Sequence, residues 1–250
     1  MTFNALAKHS RAAAVPGEKR KPSLRGVPFQ AFVGTGRVEL LSESQREQLA
    51  QLATVHHYPA RGIVYRAGST ATSLFIIDHG AVKSFHDLSS GRRRIAAFLF
   101  SHDLFGLAEA GRYVNTAQAM IPSTVYRLEI SRLAEAFRQD SELELRFLCK
   151  AVHELRVAQH HTIMVARRHA TGRLAMLLRM LERQSLQPAG AEGLEIPMTR
   201  SDVANYLGLS LEAVVRASKK LERQGIVDFR DRRHAIILDR QKFEALAASA

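Results

Sequence analysis

Residues 198–223, MTRSDVANYLGLSLEAVVRASKKLER, predict two short helices joined by a tight turn. Thr199 is suited to cap the first helix, and Asp202 stands three residues later, as in a capping box. Gly208 marks the turn, because glycine adopts the left-handed conformation that ends many helices. Ser210 can cap the second helix. Residues at spacings of three and four give each helix an apolar face: Val203, Ala204 and Leu207, then Val214, Ala217 and Leu221.

The outer face of the second helix carries charges that a single groove of DNA could receive together. They are Glu212, Arg216, Lys219 and Arg223. In a helix-turn-helix the second helix enters the major groove, where a guanidinium donates two hydrogen bonds to guanine and a carboxylate accepts from cytosine. The alternative is a plain surface helix with a Glu212–Arg216 pair, worth a few tenths of a kcal/mol. The caps, the glycine turn and the apolar faces together favour DNA binding.

At these residues the chain resembles the Crp/Fnr family of bacterial transcription regulators. The Thr-Arg start, the Leu-Gly-Leu turn and the Glu-x-x-x-Arg pattern are similar to that family's helix-turn-helix, and Leu211-Glu212 to its FixK-type branch. One residue departs: the Fnr branch usually has serine before the arginine, where this chain has Val215. The predicted base-reading residues are Leu211, Glu212, Val215 and Arg216. The predicted phosphate-binding residues are Thr199, Arg200, Ser201, Ser210, Lys219, Arg232 and Arg233.

Positive charge is concentrated outside the middle of the chain. The formal net charge is +12 over 250 residues. Residues 1–37 hold seven Lys/Arg against one acidic residue, and residues 167–250 hold fifteen against ten. This distribution favours a polyanionic partner such as double-stranded DNA, the alternative being a merely cationic surface.

The single cysteine, Cys149, excludes an internal disulfide and a cysteine-rich zinc or iron–sulfur site within one chain. A reducing cytoplasm is the expected compartment. We expect a buried structural thiol here rather than a redox switch. The sequence contains no run of 18 apolar residues, so it predicts no membrane-spanning helix. The N-terminus lacks the apolar core of a signal peptide.

Four segments are predicted within an α+β fold. Residues 1–36 are basic and interrupted by Pro and Gly, which predicts a flexible arm, either solvated or in contact with DNA phosphates or the sensor. Iron–sulfur members of the family carry cysteines there; this chain has His9 and Ser10 in a similar setting. Residues 37–140 contain β-rich runs cut by glycines, which predict an antiparallel barrel or jelly roll and resemble the family's β-roll (double-stranded β-helix) sensor domain. Residues 169–250 predict a winged helix-turn-helix, with a hairpin around residues 231–233.

Residues 141–168 predict one long helix, since they contain neither Pro nor Gly. Apolar residues at 3-4-3 spacing form a coiled-coil seam that weakens in the second half. In the family this segment is the dimerisation helix; the alternative is a helix packed on its own β-domain. The predicted dimer-interface residues are Leu145, Leu148, Val152 and Leu155.

The hairpin at residues 103–119 corresponds to the phosphate-binding place of cyclic-nucleotide binders. Leu107 stands where the family's ribose-binding Glu would be, and Asn115-Thr116 where Arg-Ser would be, with Arg112 three residues too early. We therefore expect no cyclic AMP site. The family's haem-binding carbon monoxide sensors carry a His soon after the Phe of this hairpin, which Gly106-Leu107-Ala108 lacks. No cofactor and no metal ligand is predicted, and the ligand of the sensor stays unassigned.

The sequence thus predicts a cytoplasmic, homodimeric transcription regulator, most simply an activator. The resemblance implies a two-fold operator with TTGA-like half-sites, contact with RNA polymerase, and genes of low-oxygen or nitrogen-oxide metabolism. One alternative is a haem- or small-molecule-sensing protein whose ligand gates DNA binding. Another is an enzyme with a metal in a cupin-like barrel, disfavoured because no His-x-His followed by Glu and His stands on the predicted strands. No catalytic residue is predicted.

Overall fold

The fold is α+β, as predicted, with antiparallel sheets in the first half of the chain and helices mostly in the second. The computed structural model describes residues 30–33, 36–89, 91–108, 110–166, 169–184 and 193–248. The strands are β1 Gln30–Val33, β2 Gly36–Glu39, β3 Ala53–Tyr58, β4 Ile63–Tyr65, β5 Ser73–His79, β6 Val82–Asp87, β7 Arg93–Leu99, β8 Leu104–Phe105, β9 Thr116–Ala119, β10 Ser123–Glu129, β11 Leu194–Glu195, β12 Val227–Asp228 and β13 His234–Ile237. The helices are α1 Glu43–Leu52, α2 Ile130–Gln139, α3 Ser141–Ala166, α4 Ala170–Gln184, α5 Arg200–Leu207, α6 Leu211–Arg223 and α7 Arg240–Ala248.

Two four-stranded antiparallel sheets, in the orders β3-β10-β5-β8 and β4-β9-β6-β7, form the β-roll. Alternate residues of the strands point inward, since successive side chains of a strand face opposite sides. The two sheets share one apolar core, which confirms the predicted β-roll. Its buried members are Phe75, Ile77, Val82, Leu99, Phe105, Tyr113, Ala117 and Val125.

Three helices cover the outside of the β3-β10-β5-β8 sheet. The first of them begins with a capping box, in which Ser42 Oγ accepts from Gln45 N at 3.2 Å at the start of α1. Leu49 of α1, Leu133 of α2 and Leu143 of α3 are each buried in the cluster that joins these helices to the sheet. The helix α3 begins at Ser141, as predicted, and is described to Ala166. Within the described residues, no helix is both long and apolar enough to cross a membrane.

The stretch expected to be a flexible arm differs from that expectation at its end. β1 and β2 pair antiparallel, with Ala31 opposite Val38, and β1 lies beside α3. Residues 30–33 and 36–39 therefore form paired strands rather than an unstructured segment, because strand pairing satisfies backbone groups that a free arm leaves to water. Residues 1–29 and 34–35 of the predicted arm lie outside the described residues.

The C-terminal part is a winged helix-turn-helix built from α4 to α7 and the sheet β11-β13-β12. The predicted hairpin around residues 231–233 is present as β12–β13. The short strand β11 pairs with β13, and α7 ends the described part of the chain. One apolar cluster holds these elements together. Its most buried members include Leu177, Leu207, Leu221, Val227 and Phe243.

Candidate nucleic-acid interface

The start and the end of α5 are fixed by its own side chains and by one glycine. Thr199 Oγ1 accepts from Asp202 N at 3.1 Å, and the Asp202 carboxylate reaches back to Thr199 N, which confirms the predicted capping box. Gly208 has φ +63° and ψ 37°, the left-handed conformation predicted for the turn. From the neighbouring helix, Arg173 Nη1 donates to Leu207 O at 2.9 Å and satisfies a carbonyl at the end of α5.

The inner face of α6 determines which side chains it shows to solvent. Ser210 caps the helix by accepting from Ala213 N at 3.1 Å. Val214, Ala217 and Leu221 are buried at 3%, 4% and 0% exposure. Because these positions recur at spacings of three and four, the rotation of α6 about its axis is set by apolar burial.

The opposite face of α6 is open and charged. Leu211 is 50% exposed, and Glu212, Arg216 and Lys219 are also exposed. Val215 is half-buried at the edge of this face. Among the described residues no ion pair joins Glu212 to Arg216, so the plain-surface-helix alternative lacks its stabilising pair. The carboxylate and the guanidinium both point to solvent, where a base edge could meet them.

The hydroxyl groups predicted to bind phosphate differ in whether their proton is already used in a hydrogen bond. Thr199 Oγ1 already donates to Asp202 Oδ2 at 2.8 Å, so its proton is used inside the capping box. Ser210 Oγ is exposed and serves its cap as an acceptor, which leaves its O–H available to a phosphate oxygen. Ser201 is exposed at the start of α5, and Arg200 beside it is half-buried.

The tip of the wing presents Arg232 and Arg233 to solvent. The Asp231 carboxylate shapes this turn by accepting from Arg233 N at 2.6 Å and from His234 N at 2.9 Å. These hydrogen bonds hold the pKa of Asp231 below its usual range, and the one from Arg233 N has the largest effect. The carboxylate therefore stays ionised and ordered, while both guanidinium groups remain at the surface.

The predicted dimer seam is an apolar stripe on α3 that faces solvent in the single chain. Leu145, Leu148, Val152 and Leu155 are exposed by 55%, 59%, 56% and 59%. The alternative was that α3 packs on its own β-domain, and the opposite side of the helix does so. The residues buried there are Leu143 and Phe147, which are not those of the seam.

Cys149, next to this seam, corrects one expectation. It is exposed in the chain rather than buried. It precedes Lys150, which is buried, and follows Leu148, so the helix turns the thiol away from the β-roll.

Comparison with known proteins agrees with this architecture. A family model of the Crp-like helix-turn-helix domain matches residues 172–246, and a model of the cyclic nucleotide-binding domain matches residues 55–140. The nitrogen fixation regulation protein FixK of Rhizobium meliloti is 30% identical over 184 residues, which cover 73% of this chain and 81% of that protein. This chain belongs to the Crp/Fnr family.

Two further relatives extend the comparison. FixK of Bradyrhizobium diazoefficiens is 29% identical over 216 residues, 84% of this chain and 88% of that protein. The solved structure of FixK2 from Bradyrhizobium japonicum superposes with a TM-score of 0.73 at 33% identity, covering 79% of this chain and 98% of that one. The protein is therefore a DNA-binding transcription regulator of the Crp/Fnr type.

The β-roll of this Crp/Fnr protein is filled by aromatic rings. Tyr65 and Tyr113 stack with centroids 3.9 Å apart, and Phe75 and Phe105 lie within 5.3 Å of each other. Tyr113 OH donates to the Ser73 backbone O at 2.8 Å, which fixes the ring. Burial raises the pKa of Tyr65 and Tyr113, so both stay protonated.

Arg112 does not take the place of the missing phosphate ligand. Its Nη1 donates to Gly68 O at 2.7 Å, and its backbone bridges to Thr70. Thr116 Oγ1 accepts from Ala67 N at 3.0 Å. These contacts tie the hairpin to a neighbouring turn of the β-roll, a structural role.

Sequence patterns did not indicate the contacts between the β-roll and the helix-turn-helix of this Crp/Fnr protein. Lys83 on β6 pairs with Asp202 on α5, 119 residues later, and Phe98 on β7 packs on Tyr206. Local periodicity predicts elements, whereas the partner of an inward-facing charge depends on how the elements pack. The one available signal was a charged residue, Lys83, within a β-rich apolar run.

Proposed function

We propose that this Crp/Fnr protein acts as a cytoplasmic homodimer that recognises a two-fold operator with TTGA-like half-sites and activates transcription. The supporting observation is the open face of α6, whose Glu212 and Arg216 are exposed while its caps and core fix its orientation. A rigid helix with a free guanidinium and a free carboxylate near its N-terminus has the chemistry for bases in the major groove.

Each residue of this face has its own role in the proposal. Arg216 donates two hydrogen bonds to a guanine, and Glu212 accepts from the exocyclic amine of cytosine or adenine. Leu211, which is half-exposed and apolar, lies against a thymine methyl. Val215 has no hydrogen-bonding group, so the base pair beside the guanine is discriminated weakly.

Phosphate contacts supply affinity without sequence preference. Arg200, Ser201, Ser210 and Lys219 lie at the two helix starts and along α6, and the wing adds Arg232 and Arg233. Thr199 acts through its cap, since its hydroxyl proton is given to Asp202. Two helix N-termini close to the backbone add partial positive charge.

The homodimer rests on the exposed seam of α3. Four apolar side chains at coiled-coil spacing, each more than half exposed, form an unpartnered stripe. A two-fold axis along this stripe would bury it against its own copy and place two recognition helices for two half-sites.

Support for activation comes from the relatives rather than from a contact in this chain, and contact with RNA polymerase is what membership of the family implies. Relatives of this chain include the transcriptional activator protein FnrA of Stutzerimonas stutzeri. In this proposal the protein is a binding protein and not an enzyme, and its output is recruitment of polymerase.

Fluorescence anisotropy tests the proposal. A labelled duplex with TTGA and TCAA half-sites is titrated with the full-length protein, and a duplex of equal composition with scrambled half-sites is the control. We expect at least about a thousandfold preference at moderate salt. Equal binding to both duplexes would contradict the operator assignment and leave only non-specific DNA binding.

A further inference from the structure

The first helix of the helix-turn-helix is held from behind by the sensor domain. Lys83 Nζ on β6 lies 2.7 Å from Asp202 Oδ1 on α5, and the two side chains are only 13% and 10% exposed. The other oxygen, Asp202 Oδ2, accepts from Thr199 Oγ1 at 2.8 Å. A single carboxylate therefore joins the cap of α5 to a strand of the β-roll.

One helical turn further on, Tyr206 anchors the same face of α5. Its ring centroid is 4.6 Å from that of Phe98 on β7 and 4.0 Å from that of His161 on α3, with which it stacks. His161 Nε2 also lies 2.8 Å from Tyr206 O, where the ring N–H donates to the carbonyl. Sensor, dimer helix and helix-turn-helix thus meet at one residue.

The apolar contact around this point is continuous. Phe85, Ile95 and Phe98 of the β6–β7 hairpin belong to the same buried cluster as Leu207 of α5 and the core of the winged helix. An interface of this kind, apolar at its centre and with a hydrogen-bonded ion pair at its edge, restricts relative rotation more than a flexible linker does.

The recognition face is not involved in this docking. The back of α5 is buried, with Asp202 at 7% and Tyr206 at 4% exposure, whereas Glu212 and Arg216 of α6 face solvent. The docked arrangement therefore leaves open the surface that DNA would contact. A helix-turn-helix held in this way loses less orientational freedom on binding, which favours affinity.

We propose that the Lys83–Asp202 ion pair, together with the Tyr206 aromatic contacts, is a docking contact that holds the helix-turn-helix in its DNA-binding orientation. Lys83 and Asp202 are positioning residues: they touch no base, and they act through α5 on α6. The assignment rests on the proposed function. It makes β6 the strand through which a change in the β-roll would reach the DNA-binding domain.

A double-mutant cycle on the full-length protein tests the ion pair. Lys83→Met keeps the length of the side chain without its charge, and Asp202→Asn keeps an acceptor for the Thr199 cap. We expect each single variant to weaken operator binding by about tenfold, and the double variant to be no weaker than the worse single one. Lys83→Arg, which retains the positive charge, should keep an operator affinity close to that of the wild type.

Two comparisons separate docking from stability alone. Glu135→Gln removes an ion pair within α2, the one with Arg138, and should leave operator affinity unchanged. If Asp202 served only its cap, the losses of the two single variants would add in the double variant. Independent losses, wild-type affinity in Lys83→Met, or tighter binding in that variant would each overturn the proposal, the last by making the contact inhibitory.

Calorimetry without DNA keeps this proposal distinct from the proposed function. Two docked domains unfold together, whereas undocked ones melt separately. We expect one transition for the wild type and Lys83→Arg, and a separate, earlier transition in Lys83→Met. An unchanged single transition in Lys83→Met would refute the docking role. Failure of the wild type to prefer its operator would instead refute the proposed function.

Discussion

At the scale of single residues, Arg216 and Lys219 share one face of α6 but should contribute differently to DNA binding. Arg216→Ala should cost about 1–3 kcal/mol on the correct operator and remove the preference for guanine, because a bidentate base contact is lost. Lys219→Ala should weaken all sequences alike and lower the slope of log K against log salt by about one. Anisotropy on single-base variants at two salt concentrations measures both effects.

Lys219→Ala also serves as the control for Arg216→Ala, since both remove an exposed cation from the same helix. Undiminished preference for guanine over adenine in Arg216→Ala would mean that this side chain contacts phosphate, and that α6 enters the groove in another orientation.

A second prediction at this scale concerns the β-roll interior. We expect no binding of cyclic AMP at micromolar concentration and no change in operator affinity when it is added. Arg112 is already bonded to Gly68 O, and the ring of Tyr113 is fixed against Tyr65 inside the roll. The cation beside Tyr113, Arg127, already donates from its Nε to Ser73 Oγ at 2.8 Å. A phosphate would therefore have to displace existing contacts of Arg112 or Arg127 to gain a cationic partner, and without one it would bear its desolvation cost. Isothermal titration calorimetry decides: a saturable heat would show that the hairpin rearranges to bind the nucleotide.

At the scale of elements, α3 should hold two chains together through its solvent-facing stripe. Leu148→Glu or Val152→Glu places a charge in the seam, which should cost several kcal/mol per interface and give monomers with weak operator binding. Val157→Glu is the matched control, because Val157 is also an exposed apolar residue of α3 but lies opposite the seam. Light scattering measures the mass; a dimeric Leu148→Glu protein would move the interface elsewhere.

The junction of α3 with α5 should respond to pH. Burial is the main cause that lowers the pKa of His161, and the positive charge of Arg94 lowers it further. The hydrogen bond to Tyr206 O acts in the opposite direction. The unfolded chain therefore takes up this proton at a higher pH than the folded one. The neutral ring contributes stability above its ordinary pKa of about 6.5, and this contribution is lost as the pH falls through the lower folded value.

The variant His161→Gln, which cannot gain this charge, should consequently lose less thermal stability than the wild type between about pH 7.5 and about pH 5.5. His160→Gln, at the exposed neighbouring position, is the control and should keep the wild-type loss. Equal losses in all three proteins would show that His161 does not titrate at the junction.

The elements also show what sequence could and could not supply. The caps at Thr199 and Ser210 and the turn at Gly208 are local, and each was predictable from residues within four positions. Exposure of Cys149 was not, because it depends on which side of α3 the β-roll covers. The pairing of Lys83 with Asp202 could not be predicted from the sequence either, because it depends on how the two domains pack together.

At the scale of the whole molecule, dimerisation and DNA binding, as proposed, use separate surfaces. The stripe on α3 is available to a second copy, the face of α6 to DNA, and the back of α5 is occupied by the sensor domain. A rigid connection between seam and recognition helix would fix the distance between the two recognition helices of a dimer. The spacing of the half-sites then becomes a property of the fold rather than of the linker.

This fixed distance leads to a prediction about DNA rather than about the protein. Two recognition helices related by a two-fold axis need half-sites on one face of the duplex, about one helical turn or roughly 34 Å apart. Inserting about five base pairs, half a turn, moves one half-site to the opposite face, so only one subunit can bind specifically. Affinity should fall to that of a single half-site, whereas Leu148→Glu, expected to be monomeric, should bind both duplexes equally. Anisotropy on the two duplexes provides the measurement. Equal binding of the wild type to both would mean that the DNA-binding domains turn freely on the dimer helix, and the docking of α5 on the β-roll would then have no role in DNA recognition.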